Sequence, residues 1–315
     1  MSPFDGLLVL DKPAGCTSHD VVARCRRIYG QKRVGHAGTL DPDATGVLLV
    51  GLGQATRLLQ YLSGLSKRYA GEVVLGVATS TLDAQGTETG RWDMTDVTLE
   101  GARKAALTLT GEIAQVPPMV SALKVGGRRL YELARAGIEV EREARAVTVS
   151  RFEVDLACAA EADAPAGPGP VLAIDVVCSS GTYVRSLAAD LGAALGGGAH
   201  LRRLRRLAVG SYGLEESVSL ATLEKMVDPA GVVLPPVEAL RGMARAVVPA
   251  DVAAAVGHGK VLPVAALRGW GGEGPGPWAV VSDEGTLLAV YEAHGPQQAK
   301  PAVVLASAAA DGAHS

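Results

Sequence analysis

Gly35-His36-Ala37-Gly38-Thr39-Leu40-Asp41-Pro42-Asp43-Ala44-Thr45-Gly46-Val47-Leu48-Leu49-Val50 is the stretch that decides how the chain is read. A glycine-studded segment with basic residues before it delivers one carboxylate, Asp41, and runs straight into an apolar, strand-like run over 47–52. Glycines at 35, 38 and 46 let the backbone approach a bulky ligand closely. Pro42 fixes the chain just after the acid and biases Asp41 toward extended backbone. The residues before it, Arg33-Val34-Gly35-His36-Ala37-Gly38, do not read as a buried strand.

Working outward, Gly6-Leu7-Leu8-Val9-Leu10 reads as a short buried strand ending in an Asp11-Lys12-Pro13-Ala14-Gly15 turn. Thr17 or Ser18 can cap a helix whose Val21, Val22, Cys25 and Ile28 share a face and which Gly30 stops. Residues 55–65 look helical, and 67–77 alternate as a strand, with Tyr69, Gly71, Val73, Leu75 and Val77 on one side. A helix is expected over 96–109, capped at Thr95 or Asp96, and the prolines of 115–124 force an extended connection. A short helix over 130–136 stops at Gly137, strands follow at 147–156 and 171–178, and 186–195 is helical. The Ala/Pro/Gly-rich stretch 159–170 reads as a surface loop. Past Pro235-Pro236, short turn-separated strands suit a small β-barrel or sandwich, and the last residues, 309–315, suit a disordered tail.

Composition narrows the function classes. Apolar residues make 48% of the 315-residue chain but aromatics only 4%, so the core must rest on Leu, Val and Ala. A net charge of −3 means that any polyanion must be met by a local basic surface. Such clusters exist: Arg24, Arg26, Arg27, Lys32 and Arg33 before the acidic loop, and Arg202, Arg203, Arg205 and Arg206 in one run. Cys16, Cys25, Cys158 and Cys178 show no paired or zinc-type spacing, which points to a reducing compartment and to neither metal nor disulfides. No secretory or membrane-spanning pattern stands out, so a soluble, cytoplasmic α+β protein is expected. No G-x-G-x-x-G follows a strand and no P-loop is present.

Several blocks in fixed order resemble the TruB-type tRNA pseudouridine synthases. They are Gly6 to Pro13 with Thr17-Ser18-His19-Asp20; the Asp41 segment; Lys67-Arg68-Tyr69 through Gly86; Val116-Pro117-Pro118 through Tyr131; Cys178-Ser179-Ser180-Gly181-Thr182-Tyr183-Val184-Arg185; and His200-Leu201 with Leu204-Arg205-Arg206. The resemblance implies an α+β fold around a mixed, mostly antiparallel central sheet with flanking helices, with a catalytic domain over 1–238. A PUA-like RNA-binding domain would occupy 239–308. It implies cofactor-free isomerisation of uridine to pseudouridine at U55 in the T-loop of tRNA. The cysteine spacing argues against a metal, and nothing in the sequence suggests an obligate partner, so a monomer is expected.

That reaction breaks the N1–C1′ bond, turns the uracil and rejoins it through C5, so it is redox-neutral. A carboxylate near C1′ can attack it, stabilise an oxocarbenium-like centre or take the 2′ proton. The resemblance assigns this carboxylate to Asp41, its guanidinium partner to Arg185, and the substrate pocket to Tyr69, Tyr183 and Leu204. Arg185 would depress the Asp41 pKa, and Lys67 and Arg68 would flank the Tyr69 ring with phosphate contacts. His36 is implied to be non-catalytic, filling the space left by a base that leaves its stack. Apart from the resemblance, Arg185 reads as a surface arginine at a strand end, Tyr69 as a core tyrosine and Leu204 as a helix core residue.

Two other readings compete with this one, and the first lacks the later acidic pair it needs. Asp41-Pro42-Asp43-Ala44-Thr45 fits the D-x-D-x-T pattern of aspartyl-phosphate phosphatases, which need a buried strand before the first Asp and a magnesium site. The basic clusters and β-rich tail also suit a non-enzymatic RNA-binding protein. For either RNA reading, tRNA affinity should fall steeply as salt is raised, because counterion release drives association.

Overall fold

The computed structural model describes residues 4–121, 123–125, 127–138, 140–157 and 168–305. Most of the 159–170 loop, Cys158 and the 309–315 tail lie outside the described residues. A ten-stranded sheet organises the first part of the chain, and all but two of its strand pairings are antiparallel. Its path runs Val218–Ser219, Gly6–Lys12, Thr45–Leu52, Ala199–Val209, Lys67–Leu75, Val171–Cys178, Arg145–Leu156, Gly111–Gln115. Gly6–Lys12 and Thr45–Leu52 are buried almost throughout, which is why both read as continuous apolar runs.

Helices flank the sheet where local chemistry starts them. Ser18–Ile28 opens on a reciprocal cap: the Asp20 amide donates to Thr17 Oγ1 at 3.1 Å, and the Thr17 amide donates back to Asp20 Oδ2 at 2.8 Å. Its Val21, Val22 and Cys25 face the core. The helix expected over 96–109 starts later, as Leu99–Thr108. Asp93 takes Thr95 into a tight turn of its own, and Thr98 caps instead, accepting from Gly101. Residues 55–65 divide into a 3-10 segment, Gly53–Leu58, and a short helix, Leu59–Ser63.

Two local readings are corrected by the sheet. Val34–Ala37 is a strand, paired antiparallel with Thr45–Leu52, and its Val34 and Ala37 are buried. The glycine and histidine between them hide its pattern. Leu204 lies on a strand, Ala199–Val209, and not in a helix. Leucines at 201, 204 and 207 recur every three residues, which imitates a helix. Register shifts at Leu201/Arg203 and Arg206/Ala208 let a strand carry that spacing.

The last part forms a five-stranded sheet in the order Ala244–Val248, Trp278–Ser282, Leu287–His294, Gln298–Val304, Leu262–Pro263. Two short helices, Ala250–Gly257 and Val264–Gly269, lie within the crossover between its parallel pair. The sequence reading had none there, because their alanine-rich faces carry little periodicity. One apolar cluster joins the two sheets: Leu7, Val47 and Leu58 pack in it with Leu240, Val281 and Val290. The Pro235-Pro236 region is therefore a packed joint, with Ala239 and Leu240 buried.

Candidate active site

Asp41 sits in the connection between Val34–Ala37 and Thr45–Leu52, and three buried groups hold that connection in place. Lys12, fully buried, donates from Nζ to the carbonyls of Pro42 at 2.8 Å and Ala44 at 2.7 Å. Ser18 Oγ accepts from the Leu40 amide at 2.9 Å. Arg206 donates to the Gly38 carbonyl at 3.0 Å and to Val47 at 2.7 Å. None of the three stood out in the sequence as a brace, because each acts on backbone far away in the chain.

The glycine at 46 serves this packing and not a ligand. Its φ is +104°, and a Cβ there would lie 2.1 Å from the Arg206 carbonyl oxygen of the neighbouring strand. Only glycine lets the two strands meet at that point.

Arg185 enters from the far end of the chain. It is the second residue of the Val184–Ala194 helix, not the end of a strand, and only 5% of its side chain is exposed. Its guanidinium forks onto Asp41, with Nε 2.9 Å from Oδ2 and Nη2 donating to Oδ1 at 3.0 Å. The other donors reach the carbonyls of Thr81 at 3.1 Å and Val120 at 2.9 Å, and Asp83 stands 3.7 Å away. Gln115, buried and also unremarked in the sequence, sets the start of this helix. Its amide donates to the Tyr183 carbonyl at 3.1 Å and its oxygen accepts from the Tyr183 amide at 2.8 Å.

Asp41 keeps 44% of its side-chain surface open, toward a cavity of about 370 Å³. Tyr69, Tyr183, Arg185 and Leu204 line that cavity with it, together with Lys67 and Arg206. Five of the six residues singled out in the sequence thus converge. His36 is outside the cavity wall, edge-on to His19 with ring centroids 5.2 Å apart. Burial, with help from His19, pulls His36 down to about 4, so its ring is neutral at ordinary pH.

The electrostatics differ from the sequence expectation at one point. Burial pushes the Asp41 carboxyl above its ordinary value; Arg185 pulls it back, and Asp83 adds to the rise. The guanidinium opposes the shift without reversing it. Burial likewise pushes the Tyr69 hydroxyl up, against the charge of Arg206.

The expected phosphate contacts beside Tyr69 are not where the sequence put them. Successive residues on a strand point to opposite faces. Lys67 therefore lies on the Tyr69 side and is buried, whereas Arg68 points away and forks onto Asp175 at 2.7 Å. The arginine run is also largely committed to internal partners: Arg202 to Glu72 at 2.8 Å, Arg205 to Asp11 at 2.7 Å, and Arg206 to backbone carbonyls. Arg27 and Lys32 remain as exposed cations on the other cluster. A larger groove of about 500 Å³ between Leu107, Phe152 and Ile174 holds Asp175, already engaged by Arg68 and Arg151.

Among the described residues, no group of three or more His, Cys, Asp or Glu stands together as a metal site. No helix of the described residues is long and apolar enough to cross a membrane.

Comparison with known proteins identifies the family. The profile of the TruB family pseudouridylate synthase N-terminal domain matches residues 26–184, and that of the tRNA pseudouridylate synthase B C-terminal domain matches 185–251. The Asp41–Arg185 pair bridges the two. The tRNA pseudouridine synthase B of Leifsonia xyli subsp. xyli is 47% identical over 296 residues, 93% of this chain and 94% of its own. That of Mycolicibacterium paratuberculosis is 44% identical over 311 residues, 97% and 98% of the two chains. Among solved structures, a chain of a Cbf5-Nop10-Gar1 complex superposes with a TM-score of 0.70 at 27% identity, over 96% of this chain and 84% of that one. A chain of an H/ACA RNP bound to a substrate RNA containing 2′-deoxyuridine gives 0.69 at 24% identity, over 96% and 85%, which shows the fold alone. On identity along nearly the whole length, the chain belongs to the TruB family of pseudouridylate synthases and is an enzyme of the isomerase class.

Proposed function

We propose that the chain converts uridine 55 in the T-loop of tRNA to pseudouridine, with Asp41 as the catalytic carboxylate. The observation that carries this reading is the fork of Arg185 on Asp41 at the wall of a cavity shared with Tyr69, Tyr183 and Leu204. A uridine in a folded loop presents neither C1′ nor the faces of its base, so it must flip into the cavity. There, Tyr69 and Leu204 offer an aromatic and an aliphatic surface for the ring, and Asp41 faces the sugar. His36, neutral and outside the cavity wall, suits the space the flipped base leaves behind. The similarity to proteins named tRNA pseudouridine synthase B supports tRNA as the substrate. In this reading, 1–238 is the catalytic domain and 239–308 a PUA-like RNA-binding domain, and the five-stranded sheet over 244–304 falls in the latter.

Asp41→Asn is the test. It keeps the shape and one acceptor for Arg185, but removes the anion and puts a donor in place of the other oxygen. Tritium release from tRNA labelled with 5-³H-uridine should fall by at least roughly 10³-fold, as for other essential nucleophiles or bases, with tRNA binding retained. Undiminished release would remove Asp41 from the chemistry.

A further inference from the structure

Two buried cations under the cavity have no carboxylate beside them. Lys67 is 6% exposed and Arg206 1%. Lys67 Nζ donates to the carbonyls of Ser63 at 2.7 Å and Leu65 at 2.6 Å, which uses two of its three N–H groups. Arg206 donates to Val47 and Gly38. Among the described residues neither is within ion-pair distance of an acid, whereas Arg68, Arg185, Arg202 and Arg205 all are. The two converge on one point of the Asp41 loop: a Cβ on Gly38 would lie 3.6 Å from Arg206 Nη1 and 3.9 Å from Lys67 Cε.

An uncompensated buried charge is expensive, and two side by side are more so. Burial, then the charge of Arg206, brings Lys67 down to about 8, which leaves it mostly protonated at neutral pH. Keeping that charge under a catalytic cavity makes sense where an anion forms. The anion follows from the proposed reaction, on which this inference rests. A flipped nucleotide is tethered on both sides by its phosphates, so these stay at the mouth and the base goes deepest. When N1–C1′ breaks, its electron pair leaves with N1, and uracil becomes an anion spread over the ring nitrogens and carbonyl oxygens. The sugar carbon is left electron-poor. The ring then bonds to C1′ through C5, the proton leaves C5 and N1 takes one up, so the product is a neutral isomer of the substrate. Departure of the uracil anion is common to each of the three roles open to Asp41; where Asp41 takes the 2′ proton, it returns it to C2′ as C1′ bonds to C5.

We propose that Lys67 and Arg206 form an electrostatic cradle for the detached uracil anion, stabilising it between bond cleavage and rejoining. Lys67 offers its remaining N–H group, and Arg206 acts through its field.

The test follows loss of the target nucleoside in single turnovers at saturating enzyme, on tRNA carrying uridine or 5-fluorouridine at that position. Fluorine makes the ring a better anion, so its departure needs less help. Lys67→Met in the full chain should slow uridine by about 10²-fold, the scale of a lost transition-state donor, and slow 5-fluorouridine several-fold less. Equal slowing of both would make Lys67 a brace for the 63–65 turn and overturn the proposal, as would an unchanged rate. Weaker tRNA binding with an unchanged single-turnover rate would assign the charge to phosphate, and overturn it too. Lys67→Gln, which keeps a donor for the Ser63 or Leu65 carbonyl, replaces the Met variant if that does not fold. Failure of both to fold would also mark Lys67 as a brace and overturn the assignment. A wild-type chain inert on both tRNAs would instead sink the proposed function; an active one with unaffected Lys67 variants sinks only the cradle.

Discussion

The wall of the cavity and its floor treat positive charge in opposite ways. On the wall, Arg185 is matched: Asp41 takes two of its donors, and Asp83 stands near. On the floor, Lys67 and Arg206 meet neutral groups: carbonyl oxygens and, for Arg206, the Tyr69 hydroxyl. A guanidinium paired with a carboxylate positions that carboxylate and tunes it. A cation satisfied only by neutral acceptors keeps its charge available to whatever enters. Residue type alone does not separate the two; the partners do.

The comparison can be broken most sharply at the wall. Arg185→Lys keeps the charge but loses the fork, so turnover should fall by roughly 10- to 100-fold. The pH profile gives the sharper signature. Asp41 already lies above its ordinary value because burial outweighs Arg185, and a weaker cation lets it rise further. In the proposed reaction the ionised carboxylate is the working form, so the acid limb of kcat/KM should move to higher pH in the variant. A limb that stays in place, or moves down, would contradict the assigned coupling.

A smaller effect is expected where wall and floor are joined. Gly46→Ala puts a Cβ against the Arg206 carbonyl at a backbone angle that alanine avoids. It should cost about 3 kcal/mol of stability, seen as a lower unfolding midpoint, by forcing the two strands apart. A variant as stable as the wild type would show that the strands separate freely and that the floor is less fixed than described.

The smallest effect belongs to the strand neighbour of Lys67. Arg68 is half-exposed and faces Asp175 on the other side of the sheet. Arg68→Ala should leave single-turnover rates within about twofold and change stability by less than about 1 kcal/mol. A loss comparable to that of Lys67→Met would mean that local charge, not the face of the strand, governs the pocket.

Much of the fold was legible because its signals are local. The Thr17–Asp20 cap, the apolar runs at 6–10 and 47–52, and the alternation after Lys67 each declare an element within a few residues. Where local signals conflict with the sheet, the reading failed. Val34–Ala37 is disguised by Gly35 and His36, and bulges give Ala199–Val209 a helical rhythm. Of the candidate site, Asp41, Arg185, Tyr69, Tyr183 and Leu204 were found through their motifs, and the structure gathers all five at one cavity. Lys12, Ser18 and Gln115 were missed as supports, since a lysine or glutamine bonded to a distant carbonyl leaves no pattern in its own neighbourhood.

The sequence by itself determined which residue types were present for the chemistry, and most of the strands and helices that carry them. It could do so because capping, alternation and turn preferences act over a few residues. Tertiary structure alone decided which charges pair and which stay uncompensated. Asp41 and Arg185 meet across 144 positions, and Arg206 reaches Val47 across 159. At those separations only the assembled sheet, with its register and bulges, brings one group within about 3 Å of another.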